Sequence, residues 1–182
     1  GSLEAALNAK GPRKIVFRVG GTIDLGARAW VITEPRLTLD ASEAPEPGIT
    51  LIRGGLIVDT HDVIIRHLRV RPGEAGFAKK SGWEIDGITT GENARKVLVE
   101  NCSISWSTDE NLSASGPRFD GPDPEAWRKN TSHQILFRNN LIAEGLSRST
   151  HSEAEHSKGS LIHDNVTQIA LIGNLYVSNM QR

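Results

Sequence analysis

Four apolar strings recur along the chain: VIIRHLRV at 63–70, VLVENCSI at 97–104, ILFRNNLI at 135–142 and IALIGNLY at 169–176. Their starts lie 34, 38 and 34 residues apart. A period in this range belongs to stacked architectures, in which each repeat buries its apolar face against the next. Every string is a β-branched or leucine-rich run, a polar break and a second run. The breaks fall at His67, Asn101, Asn139 and Gly173, followed by Leu68, Cys102, Asn140 and Asn174. Asn and Gly tolerate the left-handed backbone that a sharp corner needs. Strand, corner and strand describe one rung of a parallel β-helix better than a hairpin. Asn101, Asn139 or Asn140, and Asn174 are expected to stack at successive corners, and Val97, Ile135 and Ile169 inside the core.

Composition fits a solenoid. The 182 residues (1–182) read as one domain. Aromatic content of 5% and hydrophobic content of 37% are low for a layered sandwich, yet they fill a narrow core of stacked Val, Ile and Leu. A net charge of −1 supplies no field for nucleic acid or an anionic membrane. No run of 18 apolar residues is present to span a bilayer. Cys102 stands alone, so it forms no internal disulfide and reads as a small packing residue.

Residues 2–9 predict a short helix with Ser2 as N-cap and Leu3, Ala6 and Leu7 on one face, stopped by Gly11-Pro12. Such a helix plugs the open end of a β-helix. Strands are expected at 14–19, 22–25, 36–40, 49–53, 55–58, 63–70 and 86–90, with loops at 41–48, 71–82 and 91–96. Two long insertions, 116–132 and 147–157, read as binding loops. No signal peptide is read in these residues, and both ends are expected to be cut from something longer. An open C-terminal rung invites end-to-end association of two copies.

Register arithmetic exposes a column. Asp86 precedes Val97 by 11 residues, as Lys158 precedes Ile169; Glu110 follows Val97 by 13, as Arg182 follows Ile169. Asp86, the Asp109/Glu110 pair, Lys158 and Arg182 are therefore expected on one sheet, on four consecutive rungs about 4.8 Å apart. Clustered acids repel unless a cation lies between them, and hard oxygen ligands suit Ca²⁺. Lysine and arginine beyond it suit an anionic carboxylate.

The segments GSLEAAL, GPRKIVFRVGGTIDL, VIIRHLRVRPG, NCSISWSTDENLS, HSKGSLI and NLYVSNMQR, in this order, resemble the pectate lyases of polysaccharide lyase family 1. The resemblance covers nearly the whole chain. It implies an all-β, single-stranded, right-handed parallel β-helix with a short N-terminal α-helical cap. It also implies Ca²⁺-dependent β-elimination of polygalacturonate or pectin, outside the cell or in the periplasm. Asp86 in DGI matches the first calcium aspartate, and Asp109 and Glu110 fall among the other metal carboxylates. STDENLS stands where the commoner form has two acids four apart, which offers Asn111 as a replacement for one. Lys158 matches the lysine that holds the substrate carboxylate, and Arg182 the arginine proposed as base. Trp127, Arg148 and His156 from the insertions join Lys158 as candidate substrate contacts.

Other readings compete. Ser107 to Glu110 fits a helix capping box. Arg66, Arg69 and Arg71 fit either a polyanion grip or a solvated strand edge. His151, His156 and His163 lack the tight spacing or cysteine partner of a zinc site. Trp106, beside the acids, reads as a packing residue. A hydrolase using Asp109 and Glu110 is disfavoured, because strand neighbours point to opposite faces. A non-catalytic polyuronate-binding β-helix, or an inactive lyase fragment, is the alternative function.

Overall fold

Every strand pairing among the described residues is parallel, so the backbone must cross over between any two partners. The computed structural model describes residues 1–153, 155, 156 and 158–180. Its elements in order are α1 (Leu3–Leu7), β1 (Arg13–Val16), β2 (Gly21–Asp24), β3 (Trp30–Ile32), β4 (Leu37–Asp40), β5 (Ile49–Ile52), β6 (Leu56–Val58), β7 (His61–Arg66) and β8 (Arg69–Arg71). They continue with β9 (Ile88–Thr90), β10 (Arg95–Glu100), β11 (Ser103–Ser105), α2 (Pro124–Lys129), β12 (His133–Arg138), β13 (Leu141–Ala143), β14 (Thr167–Ile172) and β15 (Leu175–Val177). Among the described residues these strands form three sheets: β1-β4-β7-β10-β12-β14, β2-β5-β8-β11-β13-β15 and β3-β6-β9. The chain visits the sheets in rotation, one rung per circuit, which is a parallel β-helix. No helix among the described residues is long and apolar enough to cross a membrane.

The four repeated strings are the β7–β8, β10–β11, β12–β13 and β14–β15 corners. His67, Asn101, Asn139 and Gly173 all take left-handed backbone, with φ of 60°, 52°, 55° and 65°. The 63–70 string is two strands broken at His67, as the repeat requires, although the span taken as a whole reads as one. Val63, Val97, Ile135 and Ile169 stand in register across four strands and pack in the core, as expected. The asparagine ladder, however, sits one residue later than Asn101 and Asn139. Asn140 Oδ1 accepts from the Cys102 N–H at 3.0 Å, and Asn140 Nδ2 donates to Val99 O and Asn174 Oδ1, both at 3.0 Å. Asn174 Nδ2 donates to Phe137 O at 2.9 Å. Asn101 and Asn139 turn outward, because the left-handed residue points its side chain to solvent and the next one points inward. The Cys102 thiol fills the inward place on its rung and is pushed up to about 12 by burial.

The outer face of the first sheet carries an alternating charge ladder. Asp40, Arg66, Glu100 and Arg138 stand in register, joined by contacts of 2.7 Å (Asp40–Arg66) and 3.7 Å (Arg66–Glu100) and by a hydrogen bond from Arg138 Nε to Glu100 at 3.1 Å. Burial alone would raise Asp40. Hydrogen bonds from Arg66, Ser42 and Lys14 outweigh it and hold the carboxyl below its ordinary range. Arg66 is therefore a ladder member rather than a polyanion grip. Arg69 and Arg71 are likewise engaged, with Thr50 and Ser103.

α1 seals the N-terminal end. Ser2 Oγ accepts from the Ala5 N–H, Leu3 and Leu7 join the core, and Arg13 donates to the carbonyls of Ala6 and Leu7 at the helix end. At the opposite end, β14 and β15 leave apolar side chains such as Leu175 (59%) exposed. Two elements went unanticipated: β3, only three residues long, and α2 within the first insertion, N-capped by Asp123 with Pro124 in its first turn.

Candidate functional site

The third sheet continues beyond β9 through isolated bridges Ile88↔Leu112, Glu110↔Lys158 and Ala114↔Ile162. This register sets Asp86, Glu110 and Lys158 on successive rungs, as the spacing arithmetic requires. Asp86 lies just ahead of β9 rather than within a strand starting at 86, and its Oδ1 accepts from the Glu110 N–H at 3.0 Å. Lys158 Nζ stands 3.6 Å from Glu110 Oε1. Arg182 lies outside the described residues.

Thr108 and Asp109 form a bend, and Ser107 ahead of them lies in neither strand nor helix, which overturns the capping-box reading. Thr108 anchors the bend: its Oγ1 donates to Trp83 O and accepts from the Ile85 N–H. Because the backbone bends there, Asp109 and Glu110 do not project to opposite faces. One carboxylate oxygen from each of Asp86, Asp109 and Glu110 lies within 4.8 Å of the other two. Strand alternation therefore does not separate this pair, and it gives no ground against a paired-carboxylate hydrolase.

Asn111 takes no part. It is buried, its Oδ1 accepts from the Ser107 N–H, and its Nδ2 donates to Ala143 O and to Asn179 Oδ1, both at 3.1 Å. It holds the inner corner of the bend instead of replacing an acid.

Electrostatics follow from this crowding. Asp86 is raised well above the usual carboxylate range, first by burial and then by the charge of Asp109. Glu110, 4% exposed, is raised by burial, then by Asp109 and Asp86, with Lys158 opposing. Buried acids that resist ionisation are a site a divalent cation relieves, and three carboxylates are hard donors of the kind Ca²⁺ or Mg²⁺ takes. The residues present thus fit such an ion.

The second insertion forms a wall beside the acids. It is fastened to the 71–85 loop by Lys80 N–H to Ser149 O, Gly82 N–H to Thr150 O, and Thr150 Oγ1 to Trp83 O. His156, 4% exposed, sits behind Asp109 with its Nε2 2.7 Å from Asp109 Oδ1 and its Nδ1 3.0 Å from Glu153 Oε2. The His151 and His156 rings stack with centroids 3.6 Å apart at 7°. Spacing gave no reason to join these histidines to Asp109. A second potential metal set, Asp109 with His151 and His156, results. Against it, His151 Nδ1 accepts from the Glu153 N–H. That leaves the ring proton on Nε2, the atom facing Asp109, where a metal needs a lone pair.

The other candidates are placed differently. Arg148 is exposed, paired with Glu155 at 2.7 Å, and lines a pocket of about 330 Å³ with Lys79, Lys80 and Ser149. Trp127 packs edge-on against Phe119 at 5.2 Å and donates to Gly121 O, both within its own insertion. Trp106, read as a packing residue, is 45% exposed under Arg71, with its Nε1 donating to Glu144. Lys158 also borders an open cavity of about 600 Å³ with Arg118, Ser160 and His163.

No protein-family model matches the chain. Curated proteins do match it. A protein named probable pectate lyase C from Aspergillus terreus is 32% identical over 183 residues, and those of the same name from Emericella nidulans and Neosartorya fischeri are 32% and 31% identical. Each alignment covers 100% of this chain and 36% of the relative. The chain thus spans about a third of the length of these curated relatives and is similar to them over its whole length.

Proposed function

We propose that this chain carries the calcium-dependent site of a pectate lyase, cleaving polygalacturonate by β-elimination to 4,5-unsaturated oligouronides outside the cell. The observation that carries the reading is the convergence of Asp86, Asp109 and Glu110 within 4.8 Å, one rung from Lys158. Asp86, Asp109 and Glu110 would hold Ca²⁺, which when bound supplies positive charge toward a uronate carboxylate. Lys158 approaches the same place as a cationic donor to that carboxylate. Electron withdrawal from the carboxylate acidifies the neighbouring C5–H. Arg182, in the role the family resemblance implies, accepts the C5 proton. The C5–H electrons form the C4–C5 double bond as the C4–O bond breaks, and the leaving oxygen takes up a proton. An arginine ordinarily keeps its proton, so this role requires surroundings that lower its pKa. Arg148, on the exposed loop, is the outer substrate contact in this reading.

Polygalacturonate incubated with the protein tests the reaction class. Absorbance from the new conjugated double bond supports elimination. New reducing ends without that absorbance indicate hydrolysis, and calcium-dependent binding without product indicates a binding module. Lys158→Ala is expected to lower kcat/KM by about 10²-fold or more if it acts on the transition state.

A further inference from the structure

Asp109 lies on a bend, so no strand neighbour fixes its side chain, and it stands beside two other acids that repel it. Among the described residues, His156 is the basic group within hydrogen-bonding reach of its carboxylate; His151, at 3.8 Å, is not. Besides Asp109, His156 is held on two sides. Glu153 Oε2 lies 3.0 Å from Nδ1, the His151 ring covers one face, and His151 is in turn fixed by the Glu153 N–H at 3.0 Å. A carboxylate oxygen only accepts, so a ring proton on either nitrogen points at an acid. Carboxylates that ligate a cation are commonly hydrogen-bonded by an outer shell of this type, and loss of such a partner costs roughly 10–100-fold in metal affinity.

We propose that His156 is a positioning residue for the cation site. It holds the Asp109 carboxylate where Asp86, Asp109 and Glu110 converge, and Glu153 orients the imidazole that does so. This replaces direct substrate contact as the role of His156, and it rests on the cation reading above. It also ties the second insertion to the acids, so that the loop bearing Arg148 is held by the same contact that sets the site.

Two isosteric variants separate positioning from packing. His156→Gln keeps a donor near the position of Nε2, facing Asp109. His156→Asn keeps one near Nδ1, facing Glu153, and loses Asp109. The readout is calorimetric titration of the substrate-free protein with Ca²⁺ alone, into the ~10⁻³ M range of weak sites, with urea midpoints measured beside it. His156→Asn is expected to weaken Ca²⁺ binding about 10–100-fold, and His156→Gln to stay near wild type. Equal losses in both variants, or none in either while Asp86→Asn abolishes binding, would overturn the positioning role and leave the cation reading standing. A wild-type protein that takes up no Ca²⁺ would overturn both.

Discussion

Asn140→Ala removes the central member of the corner ladder and gives the clearest energetic test of how the rungs are joined. The side chain is 2% exposed and makes three hydrogen bonds of 3.0 Å each, from Cys102 N–H, to Val99 O and to Asn174 Oδ1. At about 1 kcal/mol net per bond, the loss is about 3 kcal/mol. Much of it comes from leaving the Cys102 N–H buried without its acceptor, which alone costs about 1–3 kcal/mol. Asn101→Ala is the matched control. Asn101 is exposed and left-handed at φ 52°, so its cost is conformational only, about 1 kcal/mol, and Asn101→Gly should restore it. Equilibrium urea unfolding followed by circular dichroism measures both, through the shift in midpoint at constant slope. If Asn101→Ala destabilises as much as Asn140→Ala, the inward ladder is not what joins the corners and the assignment of roles is wrong.

Three further outcomes follow from the charges and the close contacts. Asp40 has a folded pKa depressed below its unfolded value near 3.9, so its contribution is complete above that value and disappears as pH falls through the folded one; Asp40→Asn should flatten the acid limb of a pH–stability profile. Asp86 and Glu110 are shifted the other way, so their contribution is complete below the ordinary carboxylate range and is lost as pH rises through the raised values. Without Ca²⁺ the melting temperature should therefore fall with pH across that window. Asp86→Asn should reduce the fall, and an identical profile for the variant would contradict the assignment. Gly87→Ala places a methyl group 2.3 Å from Ile104 Cγ2 and 2.5 Å from Asn111 O. It should cost about 1–3 kcal/mol and weaken Ca²⁺ binding by displacing Asp86, whereas unchanged thermal unfolding would show that the backbone there is not tightly constrained.

The corners and the column were legible because both depend on spacing. A left-handed residue must recur once per rung, and residues one rung apart in the same sheet must keep their offset from the repeat. That logic found Asp86, Glu110 and Lys158 on neighbouring strands although Lys158 follows Glu110 by 48 residues. It could not say which of Asn139 and Asn140 turns inward, because that depends on the backbone geometry at the corner. It also misjudged the Asp109/Glu110 pair, since alternation holds only where the chain is extended. His151 and His156 were out of reach for a different reason: the insertion carrying them has no period, and tertiary hydrogen bonds to the 71–85 loop and to Asp109 bring them behind the acids. The helix α2 did leave a readable signal, Asp123-Pro124-Glu125 ahead of Ala126 and Trp127, which the long polar insertion obscured.

The central claim is that Asp86, Asp109 and Glu110 form a calcium site serving elimination. The most direct measurement is the rate of unsaturated product formation from polygalacturonate as Ca²⁺ is titrated into chelator-treated wild-type protein and Asp86→Ala, with circular dichroism confirming that both are folded. The account predicts product that rises and saturates with Ca²⁺ in the wild type, and none above background in Asp86→Ala at any Ca²⁺ concentration. Wild-type rates in the presence of chelator, or an Asp86→Ala protein with an unchanged calcium dependence, would contradict it.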